Sequence, residues 1–245
     1  MKAPRIEFCG EWYDITPGEP FFVGRESDLV IDENPFLHRR FLSISQENDL
    51  WWLSNVGNLL AATVTDTTGQ VQAWLAPGAR LPVVFPELQV MFSAGSTTYE
   101  FTIHSESEYF GTTAMTTMQA GTTTVGPVQL TSSQRLLVVA LAENVLRQDS
   151  PGRGEIPSSA DAAARLGWTL TAFNRKLDNV CDKLDRIGVP GMRGGVRSYA
   201  TNRRVRLVEH ALAARLVTRD DLPLLDEERA NSLSGERDSR ADEDA

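Results

Sequence analysis

Short apolar–polar runs fill the first hundred residues, and the period lengthens to a helical one after Pro127. Ile6-Glu7-Phe8, Leu50-Trp51-Trp52-Leu53, Leu81-Pro82-Val83-Val84-Phe85, Leu88-Gln89-Val90-Met91-Phe92 and Tyr99-Glu100-Phe101-Thr102-Ile103 are rich in β-branched and aromatic residues. Turn residues separate them at intervals of about ten, the spacing of a sandwich. No helical period competes over residues 1–104, so this stretch is predicted to be an all-β sandwich. Residues 105–128 are dominated by Ser, Thr, Gly, Ala and Met, with little apolar surface to offset the entropy of ordering, and read as a mobile linker.

Beyond the linker the pattern is helical. Thr131-Ser132-Ser133-Gln134 is a capping box, followed by Leu136, Leu137, Ala140, Leu141 and Leu146 on one side of a first helix. A Pro/Gly loop, Ser150-Pro151-Gly152-Arg153-Gly154, ends it. Ser158 to Asp161 caps a short second helix that Gly167 stops. Leu170, Phe173, Leu177, Val180, Leu184 and Ile187 mark the apolar stripe of a longer third helix, with Gly188 as its C′ residue. Gly188 to Arg197 has hairpin chemistry with Gly194-Gly195 at the tip, and Asn202 is predicted to cap a last helix carrying Val205, Val208, Leu212 and Leu216. Residues 223–245 read as an acidic, disordered tail. The division is thus 1–104, 105–128, 129–222 and 223–245.

Charge is partitioned along the chain. Residues 1–126 carry −9, residues 127–222 carry +5 and residues 223–245 carry −5, so the overall −9 conceals a basic middle. From Arg186 to Val208 there are basic residues and no acidic one. No apolar run is long enough to span a membrane, and the start lacks the apolar region of a signal peptide. Cys9 and Cys181 are too few for a disulfide framework, and Cys181 falls among apolar residues as a packed thiol; a reducing cytoplasm is the expected location. His38, His104 and His210 lack metal-ligand spacing, no Lys-Ser/Thr follows Gly152-Arg153-Gly154, and no nucleophile elbow occurs. The chain is therefore expected to be non-enzymatic, with no catalytic residue, metal or cofactor.

The stretch Phe22-Val-Gly-Arg-Glu-Ser-Asp-Leu-Val-Ile-Asp32, followed by Pro35-Phe-Leu-His-Arg-Arg-Phe-Leu-Ser-Ile44, resembles the forkhead-associated (FHA) domain. That family is a β-sandwich which captures phosphothreonine, and its signature is Gly-Arg, then Ser-Arg-x-His, then Asn-Gly. Gly24, Arg25, Asp28, Leu29, Ile31 and Asp32 fit. His38 stands where the family has its phosphate-contacting Ser, Phe41 where it has a structural His, and Leu60 where it has its peptide-gripping Asn. Asn55-Val-Gly-Asn-Leu-Leu-Ala61 replaces the family's last loop. The resemblance implies a phosphopeptide site of Arg25, His38, Arg39 and Asn58, with Arg25 on the phosphate, Arg39 as a second guanidinium and His38 as a further donor. Without the Asn, the grip on the peptide backbone should weaken by about 1–3 kcal/mol. The competing reading is a protein-interaction module without phosphate dependence, in which Arg25 pairs with Glu26 or Asp28.

Short helix, Gly turn, long helix and hairpin over 129–200 look like a winged helix-turn-helix. In that arrangement Thr171, Arg175 and Asn179 face a DNA major groove, and Arg193 and Arg197 clamp the backbone. Asp178 and Asp182 on the same helix face oppose a polyanion and leave protein docking as the alternative. Thr113 and Thr117 are candidate phosphorylation sites for a Ser/Thr kinase. The expected protein is a regulator of the bacterial Ser/Thr kinase signalling type. Its partners would be a threonine-phosphorylated protein and double-stranded DNA; the alternative is an adaptor whose two domains both bind proteins.

Overall fold

A computed structural model describes residues 3–67, 71–106, 128–148, 152–192 and 200–230. The β-rich half runs β1 (Arg5–Phe8), β2 (Glu11–Asp14), β3 (Phe21–Gly24), β4 (Leu29–Val30), β5 (Leu42–Glu47), β6 (Leu50–Asn55), β7 (Ala62–Asp66), β8 (Gln72–Leu75), β9 (Arg80–Pro82), β10 (Glu87–Ala94) and β11 (Thr97–His104). One sheet has the order β2-β1-β11-β10-β7-β8 and the other β4-β3-β5-β6-β9. All these pairings are antiparallel except β3 with β4. Trp51, Phe41, Phe92, Tyr99 and Phe101 fill the space between the sheets with no solvent exposure. This is the all-β sandwich that the alternating runs predict.

The helical half contains α1 (Ser132–Leu146), α2 (Ser159–Leu166), α3 (Leu170–Arg186) and α4 (Ala200–Ala213). Thr131 caps α1 through the expected box, its hydroxyl accepting from the Gln134 amide. Gly167 takes φ 71° to end α2, a left-handed turn that favours glycine. Phe173, Leu177, Val180 and Leu184 are buried as the stripe predicts, but Leu170 and Ile187 at its two ends are exposed. Six consecutive residues of α1, Leu137 to Ala142, are buried, so this helix is packed on every side rather than on one.

Three expectations need correction. The Pro/Gly loop contains a strand, β12 (Arg153–Glu155), which pairs with Thr97–Tyr99 of β11 in line with β1. Gly154 permits this because a Cβ there would lie 2.5 Å from a Val145 methyl. Residues 223–230, assigned to a disordered tail, form a fifth helix, α5. Leu225 is fully buried, Asp226 accepts from Arg165 at 2.7 Å and Glu228 accepts from the Trp168 indole at 2.9 Å, contacts that overcome its polar composition. Finally, α4 begins before Asn202, which lies within it rather than capping it. The expected hairpin tip at Gly194-Gly195 lies outside the described residues, and 188–192 form turns.

The two halves are packed together. Thr63, Thr65, Met91, Thr98 and Thr102 point away from the sandwich core yet are buried, and α4 lies against β7, β10 and β11. Among the described residues, no helix is long and apolar enough to cross a membrane.

Candidate functional site

Gly24 is required by close approach. A Cβ there would stand 2.3 Å from the Arg39 carbonyl oxygen and 2.8 Å from that of His38. The segment after β3 is laced to the loop before β5 by three backbone bonds. Arg25 N–H donates to His38 O at 2.9 Å, Glu26 N–H to Arg39 O at 2.9 Å and Phe41 N–H to Val23 O at 2.8 Å. Asp28 turns the chain by accepting the Phe22 amide at 2.8 Å. Arg25, His38 and Arg39 are therefore brought to one end of the sandwich by backbone bonding.

The fourth candidate arrives on the β6–β7 loop. Asn55 is buried and spends its amide internally, donating to Leu60 O and Leu75 O and accepting from Gly57 N–H. Phe41 O accepts Val56 N–H and Gly57 N–H, and the Phe41 ring is wholly buried. Leu60 packs against the core, so the residue at the family's peptide-gripping position faces inward. Asn58 is the outward amide of this loop. Its Oδ1 lies 2.8 Å from His38 Nε2, and its backbone nitrogen lies 3.2 Å from the same atom. A single ring nitrogen serves one of these at a time, donating when protonated and accepting when not. The imidazole stacks on Phe41 at 5.8 Å.

The charges converge but do not saturate. Arg25 Nη2 lies 3.7 Å from Glu26 Oε1, and Arg39 Nε lies 3.4 Å from Glu26 Oε2. Arg25 Nε is buried and has no hydrogen-bond partner. Arg40 is directed elsewhere, its guanidinium 4.3 Å from the centre of the Phe22 ring. Phe36, Val56 and Leu59 are exposed on the same two loops.

On α3, Thr171, Arg175 and Asn179 share an exposed face, with Asp178 and Asp182 on it. Asp178 pairs with Arg203 at 2.6 Å. Arg206 is not on a free cationic surface: its guanidinium stacks 3.7 Å from the Trp74 ring of the sandwich and pairs with buried Glu209. Burial pushes Arg206 down to about 9, which leaves it charged at neutral pH. Burial, with Arg206 beside it, takes His210 down to about 4. Arg193, Arg197, Thr113 and Thr117 lie outside the described residues. Cys181 is packed as expected, burial raising its thiol to about 11.

Sequence reasoning misses a second cluster at the joint between the halves. Asp32 accepts from Tyr99 at 2.8 Å and pairs with Arg153 at 3.1 Å, and Asn34 donates to Tyr99 at 2.8 Å. Desolvation raises the Asp32 carboxyl, but the bonds from Tyr99 and Arg153 outweigh it and hold it below the usual range. Burial, with Asp32 alongside, pushes the Tyr99 phenol up to about 12. No local pattern marks these partners, because each lies on a separate segment. Among the described residues, no group of three His, Cys, Asp or Glu is arranged to hold a metal.

No family profile and no curated protein matches the chain. Among solved structures it is similar to the FHA-1 domain of Mycobacterium tuberculosis Rv1747, with 13% identity over 42% of this chain and 94% of that one, at a TM-score of 0.32. It is also similar to the FHA domain of an Arabidopsis thaliana hypothetical protein, with 14% identity over 42% of this chain and 83% of that one, also at 0.32.

Proposed function

We infer that the protein is a non-enzymatic signalling component whose sandwich recognises a threonine-phosphorylated partner protein. The observation that carries this reading is the meeting of Arg25 and Arg39 at one sandwich end, with His38 and Asn58 beside them. Phosphate recognition needs guanidinium donors held at fixed positions with neighbouring polar groups, and Arg25, its Nε buried, is held in place while its Nη2 reaches toward Glu26. Arg25 holds the phosphate, Arg39 adds a second charge, and His38 and Asn58 offer hydrogen bonds next to it.

The test is anisotropy titration of the full chain with two labelled degenerate peptide pools, one fixed at phosphothreonine and one at threonine. The phosphorylated pool is expected to bind preferentially, and Arg25→Ala is expected to weaken it at least about ten-fold, the loss of a charged hydrogen-bond donor. Equal binding of both pools, or an Arg25→Ala protein indistinguishable from wild type, overturns the reading and leaves a phosphate-independent adaptor.

A second reading, DNA engagement by the helical half, is favoured by the shared exposure of Thr171, Arg175 and Asn179 on α3 after the Gly167 turn. The Asp178–Arg203 pair and the burial of Arg206 reduce the cationic surface available to it. Full-length protein titrated with duplex DNA should lose affinity steeply between low and moderate salt if this face contacts phosphates. Salt-independent or absent binding leaves α3 as a protein-docking face and the kinase-linked regulator without a DNA target.

A further inference from the structure

Glu26 stands where an anion bound at this site would place two of its oxygens. One carboxylate oxygen faces Arg25 at 3.7 Å and the other faces Arg39 at 3.4 Å, so a single side chain bridges both guanidiniums. Both distances exceed the roughly 2.7–2.9 Å of a charge-assisted hydrogen bond. Glu26 and Arg39 are 58% and 74% exposed at the side chain, the regime in which an ion pair is weak and exchanges readily with solvent or ligand. Glu26 is placed by its backbone amide, which donates to Arg39 O, so its side chain can leave without unravelling the loop. Arg25 is different. Only 27% exposed, with a buried Nε, it stays in position when the carboxylate departs.

We propose that Glu26 is a built-in competitor for the phosphate position, filling it in the free protein and yielding it to phosphothreonine. The inference rests on the phosphothreonine reading of the Arg25–Arg39 site. A ligand that must first displace an occupant binds more weakly by the fraction of molecules in which the place is empty. A phosphate brings about −1.5 to −2 charge and three acceptor oxygens, more than the one charge and two oxygens of Glu26, and so prevails. An aspartate or glutamate in a peptide offers no more than Glu26 already provides. The competitor lowers both affinities by the same factor, which keeps the phosphorylated form bound and moves the weaker carboxylate form out of range. Glu26 thus sets the threshold at which the receptor responds.

Full-length wild type, Glu26→Gln, Glu26→Asp and Arg25→Ala proteins are titrated with the phosphothreonine pool and with a pool fixed at aspartate. Glu26→Gln keeps the size of an exposed side chain while removing its charge. It is expected to tighten binding of the phosphorylated pool by roughly three- to ten-fold, the scale of an exposed ion pair facing a dianion, and to bring the aspartate pool into measurable range. Glu26→Asp, which keeps the charge, should stay near wild type. If Arg25→Ala is defective but Glu26→Gln binds as wild type or more weakly, the competitor role is overturned while the phosphate site stands. If Arg25→Ala binds normally, the site reading itself fails and takes this inference with it.

Discussion

Gly24 and Phe41 show how individual residues shape the end of the sandwich that carries Arg25 and Arg39. Gly24 has an ordinary backbone conformation, so its requirement is spatial: the carbonyls of His38 and Arg39 occupy the volume a side chain would need. Gly24→Ala must push the loop away, break the Arg25–His38 and Glu26–Arg39 backbone bonds, or both. The expected cost is about 1–3 kcal/mol, typical of forcing a methyl into a packed site, read as a lowered midpoint in chemical denaturation. Phosphopeptide affinity should fall as well, because those bonds carry Arg25 and Arg39 to each other. The demand comes from residues 38 and 39, remote in sequence, yet it falls on one backbone position where no side chain fits. The substituted positions are harder to read. His38 and Phe41 replace a Ser and a His of the resembling family, yet Phe41 still braces the β6–β7 loop through its backbone carbonyl. Backbone bonding of that kind leaves no imprint on residue type.

Among the elements, those stabilised by their own residues are the legible ones. The capping box at Thr131, the Ser158 cap, Gly167 and the Phe173-Leu177-Val180-Leu184 stripe all act within one helix, and each helix is found where they place it. Thr131→Ala should cost about 1 kcal/mol, measured as a lowered denaturation midpoint with the fold otherwise intact. Elements defined by a distant partner escape the reading. β7 lacks a conspicuous apolar run because Thr63 and Thr65 alternate with Ala62 and Val64, and its outer face is buried where α4 lies against it. β12 is three residues of a Pro/Gly loop that becomes a strand because Thr97–Tyr99 offers it an edge beyond the end of β1. α5 is charged and short, and depends on Arg165 and Trp168 for its place.

At the scale of the whole molecule, the change of period near residue 128 separates two chain segments but gives no hint of how closely they associate. β12 joins the sheet, Arg153 reaches Asp32, and α4 brings Arg206, Glu209 and His210 onto the sandwich beside Trp74 and Gln72. Arg206, one of the basic residues between Arg186 and Val208, is consumed by this joint. The joint also carries a pH dependence with a definite sign. In the fold His210 stays neutral until pH falls to about 4, whereas in the unfolded chain it takes up a proton near 6.5. Between those values the unfolded state binds more protons, so acid favours unfolding. The contribution of His210 is complete above about pH 6.5 and is withdrawn progressively down to about pH 4, on the order of 2 kcal/mol after discounting for its partial exposure. Urea midpoints should therefore fall between pH 7 and pH 5, and His210→Asn should flatten that slope. Over the same range hydrogen exchange should rise first in β7 and β8, which meet α4 at this joint. A wild-type midpoint that is level from pH 7 to pH 5, or an unchanged slope in the variant, would show that His210 is solvated and that α4 does not seat it against the sandwich.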